Sequence, residues 1–105
     1  MHKKLAQIQR KIARMKEQLQ QIGEMRPGSL TKQYQKPKQR RGGYYQISYT
    51  YQMRSRTEYV RPEFLGEVRK QIETFRRFKK LVQTWTDSAI AHARLKMKLA
   101  KGQAQ

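Results

Sequence analysis

YYQISYTYQMRSRTEYVR, residues 44–61, is the stretch on which the fold turns. Tyr45, Ile47, Tyr49 and Tyr51 alternate with Tyr44, Gln46, Ser48 and Thr50. A period of two sends successive side chains to opposite faces of a strand, so one set meets a core and the other meets water. Aromatic and β-branched residues favour this extended state. A second run, Arg56 to Val60, follows a turn around Gln52-Met53-Arg54 that lacks Asn-Gly chemistry, which leaves the turn length open. The stretch predicts a β-hairpin over 44–61.

On the C-terminal side the period changes from two to three and four. Pro62 suits a first helical position, and Glu63 and Glu67 suit the positive end of the helix dipole. Phe64, Val68, Ile72, Phe75, Phe78, Val82, Trp85, Ala89 and Ala93 recur at helical spacing, and Leu81, Ile90, Leu95 and Leu99 widen the stripe. One helix over 62–101 is expected, its residues 63–101 about 58 Å long, with Gly102 ending it. On the N-terminal side, Leu5, Ile8, Ile12, Met15, Leu19 and Ile22 are spaced 3, 4, 3, 4, 3, a heptad seam on a helix expected over 3–25. Three heptads are short for an autonomous coiled coil, so the seam must meet another helix in cis or in trans. Between the two helical regions, residues 26–43 (RPGSLTKQYQKPKQRRGG) break every period. They read as a mobile basic loop in which Ser29 to Tyr34 can form a short edge strand. The fold class is therefore α+β and mostly α, a single small domain over 1–105. Its two helices pair like a coiled coil, and a small antiparallel sheet lies between them in sequence.

The 105 residues hold 25 Lys and Arg against 7 Asp and Glu, for a formal charge of +18. The excess is spread along the chain: +5 over residues 1–26, +7 over 27–62 and +6 over 63–105. Self-repulsion of that size weakens a small compact state, so a polyanionic partner is expected, with nucleic acid foremost. No cysteine is present, which excludes disulfides and thiolate metal sites. No segment approaches the ~20 apolar residues of a membrane span, and a soluble protein without a membrane partner is expected.

The runs GGYYQISYT (42–50), TEYVRPE (57–63) and VRKQIETFRRFKKL (68–81), with the upstream GSL of Gly28-Ser29-Leu30 and Tyr34, carry a resemblance. They resemble a widespread bacterial domain family of unknown function whose members read GPYYxLSYT, a short turn, TxYVxxE and an FKRFKKL-like helix. The resemblance covers most of residues 26–98. Genes of such proteins often lie near transposases and other mobile elements, which implies a nucleic-acid setting and a bacterial cytoplasmic location on nucleoid or ribonucleoprotein. Many relatives also carry cysteines before the GPYY motif, as for a small metal knuckle. Here that interval is TKQYQKPKQRRG, with neither Cys nor His, so the implied metal site is absent.

The inventory argues against catalysis. His2, His92 and Asp87 are the only residues of their kinds, and Asp87 and His92 are five apart, off a common helix face. Glu63, Glu67 and Glu73 interleave with Arg69, Lys70, Arg76 and Arg77 at the spacing of surface ion pairs. Neither clustered carboxylates nor an Arg-His-Tyr constellation assembles, and no cofactor is expected.

Three features favour nucleic acid instead. Lys32, Lys36, Lys38, Arg40 and Arg41 crowd the basic stretch, where lysines offer point charges and arginines bidentate contacts to phosphate. Arg54 and Arg56 flank the hairpin tip, and Tyr44 can stack a base if its face is open. Arg69, Lys70, Arg76, Arg77, Lys79 and Lys80 line the long helix, and from Arg76 to Lys101 only Asp87 is acidic. The expected function is a non-enzymatic nucleic-acid-binding accessory of a mobile element or ribonucleoprotein, on DNA or RNA. The alternative is a coiled-coil adaptor that uses the N-terminal seam to form a homodimer or to recruit a larger protein.

Overall fold

The computed structural model describes residues 2–103; Met1, Ala104 and Gln105 of the expected 1–105 domain lie outside the described residues. The order is α1 (His2–Gln20), β1 (Ser29–Lys36), a 3₁₀ turn (Pro37–Gln39), β2 (Arg41–Tyr51), β3 (Arg54–Val60), a second 3₁₀ turn (Pro62–Phe64) and α2 (Leu65–Gln103). The strands form one antiparallel sheet in the order β1-β2-β3. The chain forms two compact units, one of residues 23–76 and one of residues 1–22 with 77–105.

In the unit of residues 23–76, the sheet packs on the start of α2. Ile47, on the central strand, is completely buried and meets Val60, Val68 and Ile72, with Leu30, Tyr45 and Leu65 packed around them. Cross-strand partners share a face, and β2 pairs Ile47 with Leu30 on one side and Glu58 on the other. The side of the sheet toward α2 therefore carries Leu30, Lys32, Tyr34 and Lys36 from β1, the odd-numbered residues 41–51 from β2, and Arg54, Arg56, Glu58 and Val60 from β3. Gly28 makes this packing possible. Its φ is 145°, and a Cβ there would stand 2.6 Å from Ile47 Cγ1.

Residues 26–43 are not the mobile basic loop that their composition suggests. The short strand expected over Ser29 to Tyr34 runs on to Lys36, and β2 begins at Arg41. The reason is backbone hydrogen bonding: β2 has β3 on one flank only, and β1 satisfies its other row of N–H and C=O groups. The turn uses Arg40 (φ 51°) and Gly42 (φ 67°) in the left-handed region.

In the second unit the N-terminal seam is used in cis. Met15 is buried, and Leu5, Ile8, Ile12, Leu19 and Ile22 are half-buried. Gln9 Nε2 lies 3.4 Å from His92 Nε2, and the Lys16 ammonium sits 5.6 Å from the centre of the Trp85 ring. Ascending numbers on α1 thus meet descending numbers on α2, an antiparallel pair. α1 ends at Gln20 rather than near 25. Gln21 and Ile22 donate to the carbonyls of Gln18 and Leu19, a tightened last turn just before Gly23. The apolar stripe expected on α2 needs a second correction. Phe78, Leu81, Trp85, Ser88, His92, Leu95 and Leu99 line its covered side, whereas Val82, Ala89, Ile90 and Ala93 are exposed. Polar Ser88 and His92 hold two seam positions, which hid the true face from a reading based on hydrophobicity.

The hairpin turn between β2 and β3 has two residues, Gln52 (φ 53°) and Met53 (φ 65°), both left-handed as a type I′ turn requires. Neither residue is suited to that conformation, which costs an ordinary side chain roughly 1 kcal/mol or more. The double substitution Gln52→Asn, Met53→Gly is therefore expected to stabilise the fold by about 1–2 kcal/mol. Thermal unfolding checks this as a rise in Tm.

Candidate nucleic-acid interface

The two sides of the sheet differ in chemistry. The side away from α2 carries Ser29, Thr31, Gln33, Tyr44, Gln46, Ser48, Thr50, Ser55, Thr57 and Tyr59, without a single charge. Its side chains bond to one another: Ser48 with Thr57 at 3.2 Å, Thr50 with Ser55 at 3.0 Å, and Gln33 to Thr31 at 3.3 Å. Tyr44 lies on this side, half-buried, its ring 6.4 Å from that of Tyr59. The side toward α2 holds Lys32, Lys36, Arg41, Arg54 and Arg56, all exposed where the helix does not cover them.

Arg69 joins this charged side from α2. Its guanidinium carbon lies 5.5 Å from the centre of the Tyr45 ring, which the Lys32 ammonium also approaches at 5.9 Å. Lys32 is shared with Tyr34, at 5.5 Å. Two cations on one π-system gain from the ring quadrupole yet repel one another, an arrangement that an anion would relieve. Lys36 and Arg41 stand directly opposite each other in the ladder, a like-charge pair that costs stability in the free protein.

The acidic exception on this side is Glu58, and it is engaged. It accepts from the Tyr49 hydroxyl at 2.9 Å and pairs with Arg26 at 3.3 Å. The Arg26 guanidinium also lies 5.5 Å from the Tyr49 ring centre, and its backbone N–H donates to the Gln71 carbonyl. The hydrogen bond from Tyr49, then that from Arg26, hold the Glu58 carboxyl below its ordinary range. The same bond to Glu58, with a smaller contribution from burial, pushes the Tyr49 phenol up. Among the described residues, no ion pair joins Glu63, Glu67 or Glu73 to Arg69, Lys70, Arg76 or Arg77. The ion pairs that their spacing suggests do not form, so none of these carboxylates is paired with Arg69, Lys70, Arg76 or Arg77.

The remaining residues named from the sequence fall in several places. Lys38 and Arg40 sit in the exposed turn between β1 and β2, and Lys70 and Arg76 are exposed on the first part of α2. In the helix-pair unit, Arg77 and Lys80 line an open groove of about 420 Å³ with Lys11 and Arg14, over a floor that includes Met15 and Leu81. Lys79 is exposed nearby in sequence. Lys11, Arg14 and Arg26 were not anticipated as site residues. The first two flank the buried Met15 in the heptad, a signal that could have been read, whereas nothing local ties Arg26 to Glu58. Among the described residues, no group of three His, Cys, Asp or Glu side chains is placed to hold a metal ion, and no helix is long and apolar enough to cross a membrane.

Glu58 takes up its proton near 4.5 in the unfolded chain and at lower pH in the folded one. The stability drawn from its contacts is complete above that value and is lost as pH falls through the folded-state pKa. Glu58→Gln is therefore expected to flatten the acid limb of a plot of Tm against pH, compared with the parent chain.

The chain has no match among curated proteins and none among solved structures. Residues 5–70, which run from α1 through the whole sheet to the start of α2, match the sequence model of the domain of unknown function DUF6788, and the protein belongs to that family.

Proposed function

We propose that the protein binds nucleic acid without catalysing a reaction on it, holding the phosphate backbone against the charged side of its sheet. One observation carries this reading. Lys32, Lys36, Arg41, Arg54, Arg56 and Arg69, drawn from three strands and a helix, share one side of the sheet, while the other side is uncharged. A basic face that served only solubility would not need this segregation. Affinity then comes mainly from counterion release, and the tyrosines and hairpin tip add selectivity. The resemblance in the tyrosine hairpin, with its mobile-element setting, supports an accessory role on a mobile element or ribonucleoprotein in the bacterial cytoplasm. Duplex DNA, duplex RNA and single strands in competition identify the preferred ligand.

A second reading, as a protein–protein adaptor, is favoured by Val82, Ile90 and Met97. They are 40%, 49% and 67% exposed on a stripe of α2 that α1 does not cover. This moves the adaptor surface away from Leu5, Ile8, Ile12, Met15, Leu19 and Ile22, which α2 already covers.

About six phosphate contacts give a slope near −5 for log affinity against log salt, and a slope shallower than about −2 would overturn the phosphate-driven reading. Lys32→Gln with Arg69→Gln removes two contacts and makes the slope shallower by about 2. For the adaptor, light scattering is expected to show a multimer that Ile90→Asp dissolves; a monomeric parent chain removes self-association through this stripe.

A further inference from the structure

Met53 is 99% exposed, at the far end of the β2–β3 hairpin. Its backbone and that of Gln52 are both left-handed, a conformation in which Asn-Gly would fit without strain. The chain instead accepts the strain and projects an unbranched apolar side chain into water. Behind it stand Tyr51, 64% exposed, with Arg54 directly opposite, and then Tyr49 opposite Arg56. The arm that carries this tip is stiff. Its ladder is paired without a break from Tyr45–Val60 to Tyr51–Arg54, and the hydroxyl bonds Ser48–Thr57 and Thr50–Ser55 cross it on one face. On the other face Tyr49 is tied to Glu58, and Glu58 to Arg26.

A thin apolar residue on a rigid, basic, two-stranded ribbon has the chemistry of a wedge. Apolar side chains, methionine among them, enter between base pairs, unstack a step and kink the duplex, while neighbouring cations hold the phosphates. β-ribbons are used in either groove of B-form DNA, and wedges of this kind enter from the minor groove, whereas the deep, narrow major groove of A-form RNA excludes a ribbon. We propose that the β2–β3 hairpin is a DNA-bending arm: Arg54 and Arg56 seat the backbone of duplex DNA, and Met53 inserts at a base step. This rests on the phosphate-binding reading above and adds the ligand and the deformation. Flexible pyrimidine–purine steps such as TA cost least to unstack, so bending is strongest where one lies under the tip.

The test uses the full chain and duplexes of about 20 base pairs, at the short end of sites bent by 40–90°, so that the end dyes stay within energy-transfer range. The duplexes carry a donor and an acceptor dye at their ends and differ by a central TA step or a stiff A-tract. The parent chain is expected to raise energy transfer, more so on the TA duplex. Met53→Leu keeps the bend. Met53→Gly loses it while retaining affinity within about threefold, because the phosphate contacts dominate binding. A Tm for Met53→Gly at or above that of the parent chain shows that the loss is not unfolding. A bend unchanged in Met53→Gly, or parent binding with no bend on either duplex, overturns the arm while leaving phosphate binding intact. Failure of the parent chain to bind duplex DNA at low salt overturns the arm, and failure to bind duplex RNA and single strands as well overturns the reading beneath it. Vesicles of phosphatidylserine form the last arm. Met53-dependent binding to them without DNA bending identifies the tip as a lipid probe and overturns the proposal.

Discussion

Burial of Ile47 against Val68 and Ile72 sets the rest of the sheet unit. Ile47 is on the central strand, and the pairing fixes Leu30 and Glu58 as its neighbours. A slip of one residue would turn Ile47 to water and send every other side chain of the strand to the opposite face. Arg41, on the same strand, would then leave the side that it shares with Lys32, Arg54, Arg56 and Arg69. One apolar contact thus decides where the charges go. Gly28 is part of the same constraint, since any side chain there would occupy the space that Ile47 fills.

The charged side is arranged at a cost to the free protein. Lys36 faces Arg41, and Lys32 and Arg69 converge on one ring. Exposed pairs of this kind lose little in water, because solvent and salt screen them. Close to a polyanion the balance reverses, and each cation gains a phosphate. Glu58 works differently, as a structural brace. By holding Arg26 and Tyr49 it anchors the β3 side of the ribbon to the segment that enters the sheet.

The helix-pair unit follows other rules. Its seam is apolar on α1 but includes Ser88 and His92 on α2. A polar group at a seam position selects one register over its neighbours, here with Gln9 beside His92 and Lys16 over Trp85. The apolar residues that the covered face does not use, Val82, Ile90 and Met97 among them, stay in contact with solvent.

The amino-acid sequence by itself determined the elements. Alternation in YYQISYTY specified a strand, Pro62 and the spacing beyond it specified a long helix, and the 3–4 seam from Leu5 to Ile22 specified an amphipathic first helix. These are local properties, set by backbone geometry and periodicity, and they survive whatever the elements pack against. The sequence also supplied the total charge and most of the basic residues. Only the tertiary structure decided which partner met the first helix, that residues 29–36 pair as a strand beside β2, and which side of the sheet holds the cations. Those outcomes depend on contacts between residues far apart in the chain, such as Leu30 with Ile47, Arg26 with Glu58 and Lys32 with Tyr45. The left-handed turn at Gln52-Met53 belongs with them. Nothing in the dipeptide asks for that conformation; the ladder closes two residues apart, and two-residue loops between twisted strands favour positive φ.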